Sequence, residues 1–170
     1  AKQMGVPVKT LICASNDNKV LFDFFQSGTY DRNRDFILTS SPSMDILISS
    51  NLERLIYLST GCDASLCAAL MKELSEKGSY TVTGEMRKKM EDFTGGFALE
   101  EENRSTIKEL FDRTGYLIDT HTGVASAVYQ DYKKTTGDDT KTVIASTASP
   151  YKFSRNVLEA IEGKQETDDE

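Results

Sequence analysis

Histidine is almost missing from this 170-residue chain. His121 is the only one, so any Ser/His or Cys/His constellation must use it. Cysteine is scarce too: Cys13, Cys62 and Cys67 are odd in number and lack metal-ligand spacing. That argues against a metal site and against a secreted disulfide framework, and it points to a reducing cytoplasm. No run approaches the roughly 18 apolar residues of a membrane span, and no signal peptide is visible. Neither G-x-G-x-x-G nor G-x-x-x-x-G-K-[ST] occurs, so nucleotide binding on those patterns has no support. A net charge of −7 and the lack of a Lys/Arg stripe with interleaved aromatics make nucleic acid an unexpected partner.

What is present is ordinary for a globular protein, with 38% apolar and 28% charged residues. The length suits one domain, or one domain carrying an insertion. Val8 to Ala14 reads as a strand, followed by a helix with Val20, Leu21, Phe24 and Phe25 on one face and ended at Gly28. Phe36 to Thr39 reads as a second strand. Met44 to Ser59 reads as helix, broken near Ser49-Ser50. Asp63 caps a helix with Leu66, Leu70 and Leu74 on one face. Tyr80 to Val82 suits an edge strand or a link, Gly84 to Met90 a polar helix, and Gly95-Gly96 a loop. Helices are expected around Ile107, Leu110 and Phe111 and again around Val124, Val128 and Tyr132. Lys141 to Ala145 reads as a short buried strand. Ser149 then caps, and Pro150 opens, a helix carrying Phe153, Val157 and Ile161.

This order predicts an α/β fold, three-layered αβα with a mainly parallel sheet, and a helical insertion at about 62–115. Residues 1–162 would form the domain and 163–170 an acidic linker; the sequence reads as a piece of a longer protein. Three strand ends carry small polar groups: Ala14-Ser15-Asn16, Thr39-Ser40-Ser41-Pro42-Ser43 and Ala145-Ser146-Thr147. In a parallel sheet all three would lie at the carboxyl edge, where open α/β sheets bind ligands. Ordinary strand-to-helix turns would look similar. Asp119 and His121 precede an expected helix start, where capping and an active-site role are both open. The hydroxyls and amides at the three strand ends supply no strong nucleophile or base.

The blocks Ala14-Ser15-Asn16-Asp17-Asn18, Ser41-Pro42-Ser43-Met44-Asp45-Ile46, Ser49-Ser50-Asn51-Leu52-Glu53-Arg54, Asp119-Thr120-His121-Thr122-Gly123-Val124-Ala125 and Ala145-Ser146-Thr147-Ala148-Ser149-Pro150-Tyr151-Lys152-Phe153 resemble the threonine synthase family, in the family's order. The resemblance implies part of the large pyridoxal-phosphate domain of a fold-type II enzyme. It implies a lyase that turns O-phospho-L-homoserine and water into L-threonine and phosphate. The family's cofactor lysine would lie upstream, leaving no catalytic residue here and an inactive chain when alone. Thr147 matches the hydroxyl that bonds the cofactor's pyridine nitrogen. Ser146, Asp119 and His121 are carried over as cofactor-binding, and Asn16, Asn18 and Lys152 as substrate-binding. Where many members have Asp, this chain has Lys19, and Ser149 stands where several have His.

Two alternatives stay open: another β-eliminating enzyme of the same cofactor class, and a non-catalytic interaction module that kept the fold. The missing N-terminal part of the same chain is an expected partner. Strands that would pair with it become exposed edges, through which the chain alone would self-associate.

Overall fold

The continuous apolar run Leu11 to Ala14, closed by Ser15, forms β1, and this strand finds its partner where the sequence suggested a loop. Phe93–Phe97 is a strand and pairs with β1 in parallel, from Leu11↔Phe93 to Ser15↔Phe97. The reason lies in Gly95 and Gly96 themselves. Successive strand residues face opposite sides of a sheet. A Cβ on Gly95 would come within 2.9 Å of the Phe22 Cα on one side. A Cβ on Gly96 would overlap the Val128 Cγ1 on the other. The two glycines let a helix approach each face, so the Gly-Gly signal marks close packing rather than a turn.

In chain order the elements are β1 (Leu11–Ser15), α1 (Val20–Ser27), β2 (Thr29–Asp31), α2 (Ser50–Ser59), α3 (Ala64–Lys77), β3 (Ser79–Thr81), α4 (Gly84–Lys89), β4 (Phe93–Phe97), α5 (Glu100–Thr114), α6 (Thr120–Thr136) and α7 (Ser154–Glu162). Short 3-10 turns occupy Lys2–Met4, Pro42–Met44 and Pro150–Phe153. The computed structural model describes residues 1–163, so the expected acidic linker lies outside the described residues beyond Gly163. The class is α/β: α1 and α6 sandwich the parallel β1–β4 pair, giving the three layers expected. Among the described residues the parallel sheet has only these two strands.

A second sheet is antiparallel and was not foreseen in full. β2 pairs with β3, with Tyr30 opposite Tyr80 and the two rings stacked at 5.4 Å between centroids. Such a pair contributes about 0.5–1.5 kcal/mol beyond its buried area. Both tyrosines enter the main core with Val20, Phe24, Leu52, Ile56, Leu70 and Leu74. The stretch 62–115 therefore holds β3 and β4 as well as helices, and it supplies half of the parallel pair. It is not a purely helical insertion.

Two expected strands do not form. Phe36 to Thr39 belongs to no sheet. Side chains take its backbone groups: Ile37 N–H donates to Asn18 Oδ1 at 3.0 Å, and Thr39 N–H to Asp45 Oδ2 at 3.0 Å. Asn18 Nδ2 also donates to the Ile37 carbonyl at 2.8 Å. One asparagine amide thus copies the donor–acceptor pair of a neighbouring strand. Lys141 to Ala145 is likewise unpaired, and its Val143 is 93% exposed. Its apolar composition suits a half-buried pleated surface, but a strand also needs a ladder partner, and no described segment pairs with it. Met44 to Ser59 is broken as the serines suggested: a 3-10 turn, an irregular link, then α2 from Ser50. Among the described residues no helix is long and apolar enough to cross a membrane.

Candidate functional site

Asp119 is fully buried at the start of α6. Its side chain caps the helix, accepting from the His121 and Thr122 amides, as carboxylates do at N-termini. It accepts further from the Thr122 hydroxyl and from His121 Nδ1, the latter at 3.0 Å. Burial pushes its carboxyl up, but these hydrogen bonds, led by the Thr122 hydroxyl, outweigh burial and hold it below the ordinary value. Asp119 is therefore an ionised acceptor.

The same geometry fixes the tautomer of His121. The Ser43 amide donates to Nε2 at 3.1 Å, so Nε2 carries no proton. Nδ1 holds the proton and donates it to Asp119. The imidazole thereby joins α6 to the Ser41-Pro42-Ser43-Met44 segment, 78 residues earlier in the chain. Its ring packs on Phe153 at 4.7 Å, and Lys152 Nζ lies 5.3 Å from the Phe153 ring on the same turn. Of the two open readings of Asp119 and His121, the capping one has its geometry here: Asp119 caps α6, and His121 lies in the helix's first turn, bonded to the cap.

The 145–149 turn reaches this cluster through Ser146, whose hydroxyl lies 2.9 Å from Thr122 Oγ1. Ser146 and Thr147 are both exposed. No hydrogen bond among the described residues engages the Thr147 side chain. Lys152 is exposed as well. The structure thus brings Ser146, Asp119 and His121 into one bonded set, places Lys152 next to it through Phe153, and leaves Thr147 beside Ser146.

Asn16 and Asn18 form a separate set. Both are buried, and Asn16 Nδ2 donates to Asp45 Oδ1 at 2.6 Å and to Thr39 Oγ1 at 2.9 Å. Asn18 N–H donates to Asn16 Oδ1 at 3.1 Å. Together with Asp45 they hold residues 37–45 against the end of β1, and their polar atoms are occupied by the chain itself. Ser40 extends this seam, with its amide on Glu100 at 3.2 Å and its hydroxyl accepting from Asn103 at 3.3 Å.

Sequence reasoning undervalued three residues here: Asp45, Ser43 and Thr122. Asp45 is the acceptor on which the Asn16–Asn18 pair closes, Ser43 sets the histidine tautomer through its backbone, and Thr122 joins Ser146 to Asp119. A hydroxyl three residues after a helix-capping aspartate was the available signal for Thr122. Taken together, the site offers an aromatic ring, adjacent hydroxyls and a nearby ammonium. It can bind and orient a small polar aromatic or anionic ligand, and it contains no free strong base.

A family model described as "Threonine synthase, C-terminal" matches residues 122–170. The chain is 36% identical over 167 residues to threonine synthase-like 1 of Macaca fascicularis, covering 97% of this chain and 22% of that relative. It is 34% identical to threonine synthase of Saccharomyces cerevisiae, over 96% of this chain and 35% of the other. The crystal structure of pyridoxal-phosphate-bound threonine synthase from Brucella melitensis superposes with a TM-score of 0.82 at 34% identity, over 96% of this chain and 34% of that one. The chain spans between a fifth and a little over a third of the length of these relatives.

Proposed function

We propose, from the premise that this chain belongs to the threonine synthase family, that the full-length protein converts O-phospho-L-homoserine and water into L-threonine and phosphate. The observation that carries this is the 0.82 superposition on a pyridoxal-phosphate-bound threonine synthase along nearly all of the chain. In this reading residues 1–162 are part of the cofactor domain, the cofactor lysine lies elsewhere in the full-length protein, and the chain alone is inactive. The three free thiols, Cys13, Cys62 and Cys67, support a cytoplasmic setting.

The residues present fit pyridoxal phosphate in kind. Thr147 offers an exposed, uncommitted hydroxyl for a ring nitrogen, and Ser146 stands beside it on a bonded support. The cofactor, when bound, supplies an electron sink for cleaving bonds next to an amino group. A neutral hydroxyl at its ring nitrogen, unlike an aspartate, leaves that nitrogen free to lose its proton, which moderates the sink. Asp119 and His121 would hold the wall of this site: Asp119 fixes the imidazole, and the imidazole holds residues 41–44 against α6. In this reading Lys152, exposed beside Phe153, would meet an anionic group of the substrate. Asn16 and Asn18 would act on substrate through the 37–45 segment that they hold, since their own polar atoms are bonded.

The test is phosphate release from O-phospho-L-homoserine by the full-length protein with pyridoxal phosphate, with the 170-residue chain as control. Release accompanied by threonine, and a silent control, is the expected result. A second reading rests on the relative at 36% identity, whose name, threonine synthase-like 1, states no reaction. If the folded protein binds the cofactor but releases no phosphate, another β-eliminating lyase replaces the proposal. If it binds no cofactor, an interaction module does.

A further inference from the structure

Beneath the 145–149 turn, a carboxylate and two hydroxyls are joined head to tail, and each proton in the series can be assigned. Asp119 takes four donors: the His121 amide, the Thr122 amide, His121 Nδ1 and the Thr122 hydroxyl. A carboxylate so surrounded is an acceptor only. Thr122 has a single hydroxyl proton, and it goes to Asp119 Oδ2. The Thr122 oxygen can then only accept from Ser146, whose Oγ lies 2.9 Å away. Ser146 in turn spends its single proton on Thr122, and keeps nothing but lone pairs for the solvent side, where it is exposed. Thr147, next in sequence, is under no such constraint.

We infer that Thr122 is a positioning residue that makes Ser146 an obligate hydrogen-bond acceptor at the ligand edge. The ligand group taken by Ser146 must then bring its own proton, as an N–H or O–H does. A phosphate or carboxylate oxygen that carries no proton is refused there. The two neighbouring hydroxyls have different roles: Ser146 accepts, and Thr147 can donate or accept. The identity of the ligand rests on the cofactor reading above, but the direction of the protons does not.

The experiment uses the full-length protein with 13C-labelled aspartate carboxyls, and compares Thr122→Val, Thr122→Ser, Ser146→Ala and the Thr122→Val/Ser146→Ala double variant. Two quantities are read: the Asp119 titration in cofactor-free protein, and the dissociation constant for pyridoxal phosphate. Thr122→Val removes the leading donor, so the Asp119 midpoint moves up and cofactor binding weakens about five- to tenfold, the scale of one hydrogen bond. Thr122→Ser restores both. Ser146→Ala weakens binding by a similar factor and leaves the larger part of the Asp119 shift in place. The double variant binds no more weakly than the worse single variant, because both act on one path. An unmoved Asp119 in Thr122→Val, no restoration by serine, or additive losses in the double variant would overturn the inference. A wild-type protein that binds no pyridoxal phosphate would instead overturn the cofactor reading, and the Asp119 titration would still decide the relay.

Discussion

Gly96→Ala tests the layered arrangement with one methyl group. The added Cβ would overlap Val128 Cγ1, and Val128 is only 3% exposed in the cluster with Ala98 and Val124. Neither side can yield easily, because Gly96 is held by the ladder to β1 and Val128 by the body of α6. Overpacking of this kind costs about 1–3 kcal/mol. Val128→Ala alone leaves a cavity and costs about 1–3 kcal/mol by the opposite route. In the double variant the two errors cancel in part. The new Cβ meets Val128 Cβ, which lies at 3.5 Å, an ordinary contact. The double variant is therefore expected to be destabilised by about as much as one single variant, a coupling of roughly 1–3 kcal/mol. Urea unfolding of the four proteins, followed by circular dichroism with unchanged m-values, measures this. Additive losses, or a Gly96→Ala change within about 0.5 kcal/mol of zero, would refute the close helix–strand contact.

Asp119→Asn keeps an N-cap, because asparagine caps helices well, but it removes the ionisation. The wild-type carboxyl is held below its ordinary 3.8, so its contribution is present above that value and is lost as pH falls through the lower folded one. Thermal midpoints measured down through this acid window should fall more steeply in wild type than in the variant; parallel curves would refute it. Asp45→Ala strips the acceptor from Asn16 and Thr39 and should cost about 2–3 kcal/mol. Hydrogen exchange should accelerate first at the Thr39 and Ile37 amides, and a change spread evenly over the chain would count against the seam. The chain alone should self-associate through its unpaired segments. Val143→Lys should shift sedimentation toward monomer, and an unchanged distribution would remove that segment from the contact.

Periodicity marked the helices well because their apolar faces are set by neighbours close in sequence. Asp63 even gave the starting point of α3, whereas α6 starts at Thr120, earlier than the start after His121 that the sequence suggested. Strands were harder, for three different reasons. β2 is three residues long, and its place depends on Tyr80, fifty residues away. β4 contains glycines that local rules assign to loops, and only the two flanking helices explain them. Phe36 to Thr39 and Lys141 to Ala145 have strand composition, but pairing is a property of two segments, and the described chain pairs neither. At the site, Asp119 was legible as a cap, but the helix starts at Thr120, so His121 lies inside its first turn and not before it. The linking role of Thr122 was not legible, since it depends on Ser146 folding back over α6. The buried commitment of Asn16 and Asn18 was hidden for the same reason: Asp45 reaches them only in three dimensions.

The parallel pairing of Leu11 with Phe93 has a consequence for how the protein is made. A ribosome adding about 5–20 residues per second would need roughly 4–16 seconds to deliver the partner of β1 after β1 itself emerges. For that interval β1 and the α1 helix packed on the pair lack the β4 strand. Between them the antiparallel β2–β3 sheet and its tyrosine pair can already close, since both strands lie inside the interval. The β2–β3 sheet can therefore close before the β1–β4 pair does, although β1 is made before either of its strands.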